Sequence, residues 1–443
     1  MKNYKLFLFS MLILLSNPSF GQNPIIRDQF SADPTARVFN GKVYLYPSHD
    51  ILGKEGQGRP GWFCMEDYHV FSSENLTDWT DHGMIVSQTK VDWADPKGYS
   101  MWAPDCIERN GKYYFYFPAG NKEPMKGMGI GVAIADKPEG PYVPLPEPIK
   151  GATGIDPNVF IDKDGQAYMY WAGNGLVVAK LKENMTELAS EPIVIANLPT
   201  EGLKEGPFLF ERNGKYYFTF PHVQNKTERL EYAMGDSPMG PFKMTGVIMD
   251  ESPTECWTNH HSFIQYKDQW YLFYHHNDYS PKFDKNRSVR IDSMFFNNDG
   301  TIQKVIPTLR GVGVSCSKKP VEIDRYSDIS KVGASIALLD TLNTFKGWKT
   351  KLDSKNAWIR YNTVHFCEKI KSVQVKVLST AGGVLEIRLD NENGPVAAEV
   401  NVPKGVDWSV VTAKISKIKP GVHDLLVILK EGTPVEVDWV QFK

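Results

Sequence analysis

Asp33, Trp102, Asp156, Glu205 and His260 each stand seven or eight residues ahead of a short turn, and the five segments they introduce resemble one another. Three carboxylates, an indole and an imidazole gathered in one volume would make an acid–base site. A general base must be an ionised carboxylate and a general acid a protonated one, and a third carboxylate nearby can separate the two by like-charge repulsion. The elements that carry these residues must bring them together.

Those elements are readable from the turns. FNGKVYLY at Asn40, RNGKYYFYF at Asn110, KDGQAYMYW at Asp164, RNGKYYFTF at Asn213 and YKDQWYLFY at Lys267 repeat one pattern. Asn-Gly or Asp-Gly between apolar runs predicts a hairpin. The turns are too far apart for a unit of one hairpin, and units of this length with about four strands are propeller blades. AIADKPEGPY and YAMGDSPMGPF match each other and reinforce the repeat. Five repeats predict a five-bladed β-propeller, with the five strand heads around one mouth of its channel. The last unit is expected to carry Ser288 to Phe296, a turn at Asn298-Asp299-Gly300 and a strand through Ile306.

In that geometry Asp33 is the expected base and Glu205 the expected acid of an inverting glycoside hydrolysis. Asp156, held near Glu205, would keep the acid protonated. Each residue also has a plainer role. Asp before Pro is a common turn starter, at Asp95 as at Asp33 and Asp156, and Glu205 before Gly-Pro can be a solvated strand head. A structural turn, however, needs no carboxylate in three equivalent repeats. His260, in TNHHS, is either a core histidine or a neutral ligand to a divalent cation. Trp102, in MWAP, is a blade-packing residue or a floor on which a sugar stacks. Arg287 is a surface ion pair or a donor to a sugar hydroxyl or a carboxylate.

With 443 residues the chain exceeds one core, so two domains are expected. A net charge of −2 and 42% hydrophobic residues give no sign of a nucleic-acid or anionic-membrane partner. Lys2, Lys5, the apolar run Leu6 to Leu15 and Ser19-Phe20-Gly21 predict a signal peptide over residues 1–21, hence a periplasmic or secreted protein without a membrane span. Residues 22–315 are assigned to the propeller. Residues 316–443 alternate short apolar strands with turns and predict a β-sandwich, making the whole chain all-β. Five cysteines, at 64, 106, 256, 316 and 367, leave at least one thiol unpaired and are read as structural.

The stretches ADPTARVFNGKVYLYPSHD, MWAPDCIERNGKYYFYF, GIDPNVFIDKDGQAYMYWAG, KEGPFLFERNGKYYFTF, NHHSFIQYKDQWYLFYH and NRSVRIDSMFFNNDGTI resemble glycoside hydrolase family 43, five-bladed propellers that include arabinofuranosidases, β-xylosidases and arabinanases. The resemblance implies Asp33 as base, Asp156 as pKa modulator and orienter, Glu205 as acid, and inversion at the anomeric carbon of a pentose-containing oligosaccharide or polysaccharide. It implies that Arg287 lies near the carboxylates. It also implies that the histidine of a Gly-His-x-Ser pattern, here Asn259-His260-His261-Ser262 and assigned to His260, supports an axial calcium-type ion, with no organic cofactor. AWIRYNTVHFCEKIKSVQVKV, GGVLEIRLDNENGPVAAEVNVP, GVHDLLVIL and VEVDWVQF resemble a family 6 carbohydrate-binding module. Here Glu436-Val437-Asp438-Trp439 replaces the usual Asn-Ile-Asp-Trp, and Val411 stands where a second tryptophan is usual. The module is therefore either a sugar binder or a brace for the propeller. A lectin-like propeller without catalysis is the rival from another class; it leaves three carboxylates in register unexplained. The long glycine-rich loop after His49 points to a pocket, and so to exo action on an arabinofuranoside or xyloside.

Overall fold

The computed structural model describes residues 22–443, so the expected signal peptide lies outside the described residues. Blade one pairs Ala32–Phe39, Lys42–Asp50, Met65–Ser73 and Thr80–Ser87 in that order. Blade two pairs Asp105–Arg109, Lys112–Gly120, Met128–Ala135 and Val143–Pro144, and blade three Ile155–Ile161, Ala167–Gly173, Gly175–Lys180 and Ile193–Val194. Blade four pairs Phe208–Arg212, Lys215–Val223, Glu228–Gly235 and Phe242–Met249. Blade five has three strands, Ser262–Tyr266, Gln269–His276 and Ser288–Met294.

The turn chemistry explains the first hairpin of blades one, two, four and five; blade three turns through a longer loop in which Gly165 takes the positive φ (83°). Asn40-Gly41, Asn110-Gly111 and Asn213-Gly214 have positive φ at both residues, which the right-handed twist of the flanking strands demands. Lys267-Asp268 adopts the same backbone without a glycine, at φ 49° and 63°. Along the strands, large apolar residues meet those of the next blade. Tyr68 packs on Phe115 between blades one and two, Tyr170 on Phe218 between three and four, and Phe210 on Phe263 between four and five. One buried apolar cluster fills each of the five seams. A blade cannot bury both faces alone, so the seams hold the ring together.

Closure differs from expectation. The chain turns at Asn298-Asp299-Gly300 as expected and pairs briefly with the continuation of Ser288–Met294 (Gln303 N–H to Phe295 O, 2.9 Å), but it then runs to blade four, Val305 N–H bonding to Ile248 O (2.7 Å) and Ile302 N–H to the Tyr232 hydroxyl (3.0 Å). The fourth place beside Ser288–Met294 is taken by the start of the described chain, through Ile25 N–H to Val289 O (3.0 Å) and Ser31 N–H to Arg287 O (2.9 Å). Asn23 fastens its end, accepting from Ile291 N–H (2.8 Å) and donating to Ile291 O (3.0 Å). The two ends of the propeller sequence thus share a blade.

Further down the axis, Arg37 forks onto Asp105 (2.6 and 2.7 Å), which also accepts from Val159 N–H (2.6 Å) and Asn158 (3.0 Å). This polar knot ties the first strands of blades one, two and three and forms the floor below the strand heads.

The second domain is a sandwich of a six-stranded and a five-stranded sheet around one core. Its first strand is Ser315–Cys316. It docks on the propeller through Phe345 against Phe30 (4.8 Å) and Trp348 stacked on Tyr279 (5.4 Å). Arg325, 1% exposed, lies over Trp348 and donates to Asn23 O. All five cysteines are free thiols.

Candidate active site

The strand heads meet in a cavity of about 220 Å³ whose walls include Asp33, Trp102, Asp156, Glu205, His260 and Arg287. The register corrects one detail of the repeat. Counted from the paired strands, Asp33, Ala103, Asp156, Gly206 and His260 are equivalent, and Trp102 and Glu205 stand one residue earlier. Asp33, Asp156 and Gly206 share a left-handed backbone, with φ of 45°, 59° and 52°, each before a proline. That conformation costs an Asp on the order of 1–3 kcal/mol and is retained where it aims a functional side chain. At blade four the position must be glycine: a Cβ on Gly206 would lie 2.9 Å from Pro221 Cγ and 3.0 Å from His260 Nδ1. The carboxyl there comes instead from the preceding residue, Glu205.

Asp33 is the most tightly held of the three. Its oxygens accept from Arg287 (2.7 and 3.2 Å) and from the Ser48 hydroxyl (2.8 Å), and its N–H donates to His275 Nδ1 (3.0 Å). Arg287, 2% exposed, spends its other side on Asp50, with Nε and Nη2 each 2.9 Å from a carboxylate oxygen. Burial alone would raise the Asp33 carboxyl; the Arg287 charge, with neighbouring histidines and Ser48, outweighs it and holds Asp33 below the ordinary carboxylate range. Asp33 is therefore ionised at neutral pH.

Glu205 is shifted the other way. Burial pushes its carboxyl up to about 7, a hydrogen bond from Glu228 opposes the rise, and the Asp33 charge adds to it. Asp156 accepts from Gly206 N–H (2.9 Å) and so fixes the backbone beside Glu205. The repulsion expected between these two is expressed on Asp156, which burial and then the Glu205 charge raise well above the ordinary value.

Glu228 was not apparent from the sequence. It heads the third strand of blade four, is fully buried, and accepts from Asn259 N–H (2.7 Å) through Oε2. No protein donor reaches its Oε1. Burial and the Glu205 charge raise this carboxyl well above the ordinary value, so it keeps its proton and donates to Glu205. Its sequence context, Lys226-Thr227-Glu228, is that of a solvated strand head, and only the neighbouring blade shows otherwise.

The pocket rim is aromatic. Trp62 and Phe63, from the glycine-rich loop, pack on Trp257 at 6.1 and 6.3 Å. The sequence pointed to that loop but not to these rings. Trp102 lines the cavity and packs on the seam between blades one and two.

The two histidines separate cleanly. The Thr219 hydroxyl donates to Phe208 O (3.0 Å) and so accepts from His261 Nε2 (2.7 Å), which holds His261 under Phe208 and Phe263. His260 faces the cavity, and burial pulls it down to about 4, leaving it neutral. Calcium prefers six to eight oxygen ligands. Among the described residues no group of three ligating side chains includes His260, so its imidazole would give such an ion one nitrogen and the oxygen ligands would have to be waters.

A propeller whose mouth holds one ionised and one protonated carboxyl above an arginine clamp belongs to the class of glycoside hydrolases that work by acid–base catalysis. Residues 21–302 match Glycosyl hydrolases family 43, and residues 335–443 match Carbohydrate binding module (family 6). The chain belongs to glycosyl hydrolase family 43 and carries a C-terminal family 6 module. It is 38% identical to xylosidase/arabinosidase 43A of Humicola insolens over 63% of this chain and 98% of that protein. An arabinoxylan arabinofuranohydrolase of Paenibacillus polymyxa aligns over 95% of this chain and 74% of its own length, at 27% identity. Among solved structures, a family 43 β-xylosidase/α-arabinofuranosidase from a compost microbial metagenome, with xylotriose and in a calcium-free form, has a TM-score of 0.59 at 34% identity, covering 65% of this chain and 98% of that one. A Bacillus subtilis family 43 arabinoxylan arabinofuranohydrolase in complex with cellotetraose gives 0.55 at 26% identity, covering 96% and 99%.

Proposed function

We propose that this protein is an exo-acting glycoside hydrolase of the β-xylosidase/α-L-arabinofuranosidase type, removing single pentose units from xylan or arabinoxylan chains with inversion. The observation that carries the reading is the opposed surroundings of Asp33, clamped by Arg287, and of Glu205, buried beside other carboxyls, in one pocket. Asp33 takes a proton from a water that attacks the anomeric carbon. Glu205 delivers its proton to the glycosidic oxygen as the carbon–oxygen bond breaks and that oxygen keeps the bonding pair. Charge balances: Asp33 ends protonated, Glu205 ionised, and solvent exchange resets both. Arg287 keeps Asp33 ionised and oriented. Asp156, through Gly206, keeps Glu205 aimed. Trp102 and the rim rings offer flat apolar surfaces to sugar faces.

Two features support the pentose and exo parts of the reading. A cavity of about 220 Å³ is smaller than the roughly 300–1,000 Å³ that hold drug-sized ligands, and suits one sugar unit. Three relatives are named xylosidase/arabinosidase or β-xylosidase. A calcium-type ion would be held by His260 and would supply positive charge to the pocket. Export through the segment at residues 1–21 completes the proposal, and amino-terminal sequencing of the periplasmic or secreted protein checks it. The module is read as a brace, because Glu436 is already paired with Lys349 (2.8 Å) and Trp408 lies under Lys376.

The test is a panel of nitrophenyl β-xyloside, nitrophenyl α-L-arabinofuranoside, xylotriose and arabinoxylan. Release of single pentoses is expected. Larger oligosaccharides as first products would refute exo action, and full activity in Asp33→Ala would refute the assignment of the base.

A further inference from the structure

Blade one carries a second cluster of chemically capable side chains outside the sugar pocket. His49 from the second strand and Asp67 and His69 from the third each offer one ligand atom, and these atoms lie within 4.8 Å of one another. No other group of three qualifies among the described residues. His49 Nδ1 is 2.7 Å from Asp67 Oδ1, and the two imidazoles stand edge to face, 5.3 Å apart. The side chains of His49, Asp67 and His69 are 20%, 16% and 19% exposed, recessed but open to solvent.

A fourth residue completes the arrangement. Asp81, on the last strand of the blade, lies 3.1 Å from His69 Nδ1 and is itself held by Gly83 N–H (2.7 Å). A carboxylate that accepts from one ring nitrogen turns the other, Nε2, outward with its lone pair, as is usual behind a metal-binding histidine. Two imidazoles with a carboxylate suit a borderline dication of the zinc class, water taking a fourth position. They do not suit calcium, which requires a shell of oxygens. The two aspartates supply two negative charges, which one dication balances. All four residues sit on paired strands, which fix ligand positions better than loops do.

We propose that His49, Asp67 and His69, oriented by Asp81, bind a zinc-class divalent cation. The bound ion would tie together the second and third strands of blade one. His49 lies between Ser48, which bonds to Asp33, and Asp50, which holds Arg287, so the ion would brace the strand that supports the proposed base.

The full chain, freed of metal by chelation, is titrated with zinc chloride by calorimetry and melted with and without zinc. One equivalent should bind, and Tm should rise with zinc concentration. His49→Ala and His69→Ala should each abolish binding, and Asp81→Asn should weaken it about tenfold. Cobalt(II) added to the wild-type chain should develop the visible absorption of tetrahedral coordination, a readout that needs no variant. Absence of saturable zinc binding, or binding that persists in both histidine variants, would overturn the proposal and leave two hydrogen-bonded His–Asp pairs.

Discussion

Asp33 and Glu205 are both carboxyls, and their neighbours make them opposites. The signs give a pH profile. Asp33, held below the ordinary range, loses its function as a base only when acid protonates it; Glu205, raised to about 7, loses its proton as pH climbs through that value. A plot of kcat/KM against pH should therefore be bell-shaped, with a basic limb near 7 and an acid limb below the usual carboxylate values. A flat profile from pH 5 to 9 would count against the assignment. Glu228 sharpens the prediction. Its hydrogen bond stabilises ionised Glu205, so Glu228→Leu should move the basic limb to higher pH. Glu228→Gln keeps both a donor and an acceptor and should leave the limb in place. Arg287→Met leaves Asp33 and Asp50 buried together without a counter-charge. It should cost about 3–5 kcal/mol in stability, read as a fall in denaturation midpoint, and raise the acid limb of any remaining activity.

At the scale of elements, the left-handed strand heads do the aiming. Gly206→Ala tests this directly, because the new Cβ would meet Pro221 and His260 in a backbone already at positive φ. A drop in Tm, together with at least a tenfold loss of kcat from displacement of Glu205, is expected; unchanged kcat would show that the strand head does not position the acid. The hairpins and their polar heads were readable from the chain because Asn-Gly turn chemistry is local and the repeat multiplies it. The one-residue offset of Glu205 was hidden, since it depends on Gly206 filling the equivalent position. Trp62, Phe63 and Trp257 were hidden for a different reason: loops bring them to the pocket, and no local pattern marks such encounters. Asp50 and Glu228 stand on strands of the same blades as Asp33 and Glu205, and only their partners Arg287 and Asn259, from distant parts of the chain, mark them. His260 and His261 are adjacent and identical in type. Thr219, on the blade beside them, is what tells them apart.

For the molecule as a whole, both ends of the propeller sequence share blade five, and the sandwich presses on that junction. Arg325 reaches Asn23 in the closing segment while lying over Trp348 and bonding to the Tyr279 hydroxyl (3.2 Å). Arg310 donates to Gly313 O (2.8 Å) and to Thr363 of the sandwich (2.6 Å). Removing the sandwich would expose Phe30 and Tyr279 and strip partners from the closing segment. A chain ending at residue 314 should melt at lower temperature and lose soluble yield. A module that served only to bind polysaccharide would leave Tm unchanged and affect KM on arabinoxylan alone.

The central claim is a single displacement by water between Asp33 and Glu205. Proton NMR of the first turnovers on a nitrophenyl β-xyloside or α-L-arabinofuranoside reads it directly. The account predicts that the released sugar appears first with inverted anomeric configuration, before mutarotation; a sugar released with configuration retained would contradict it.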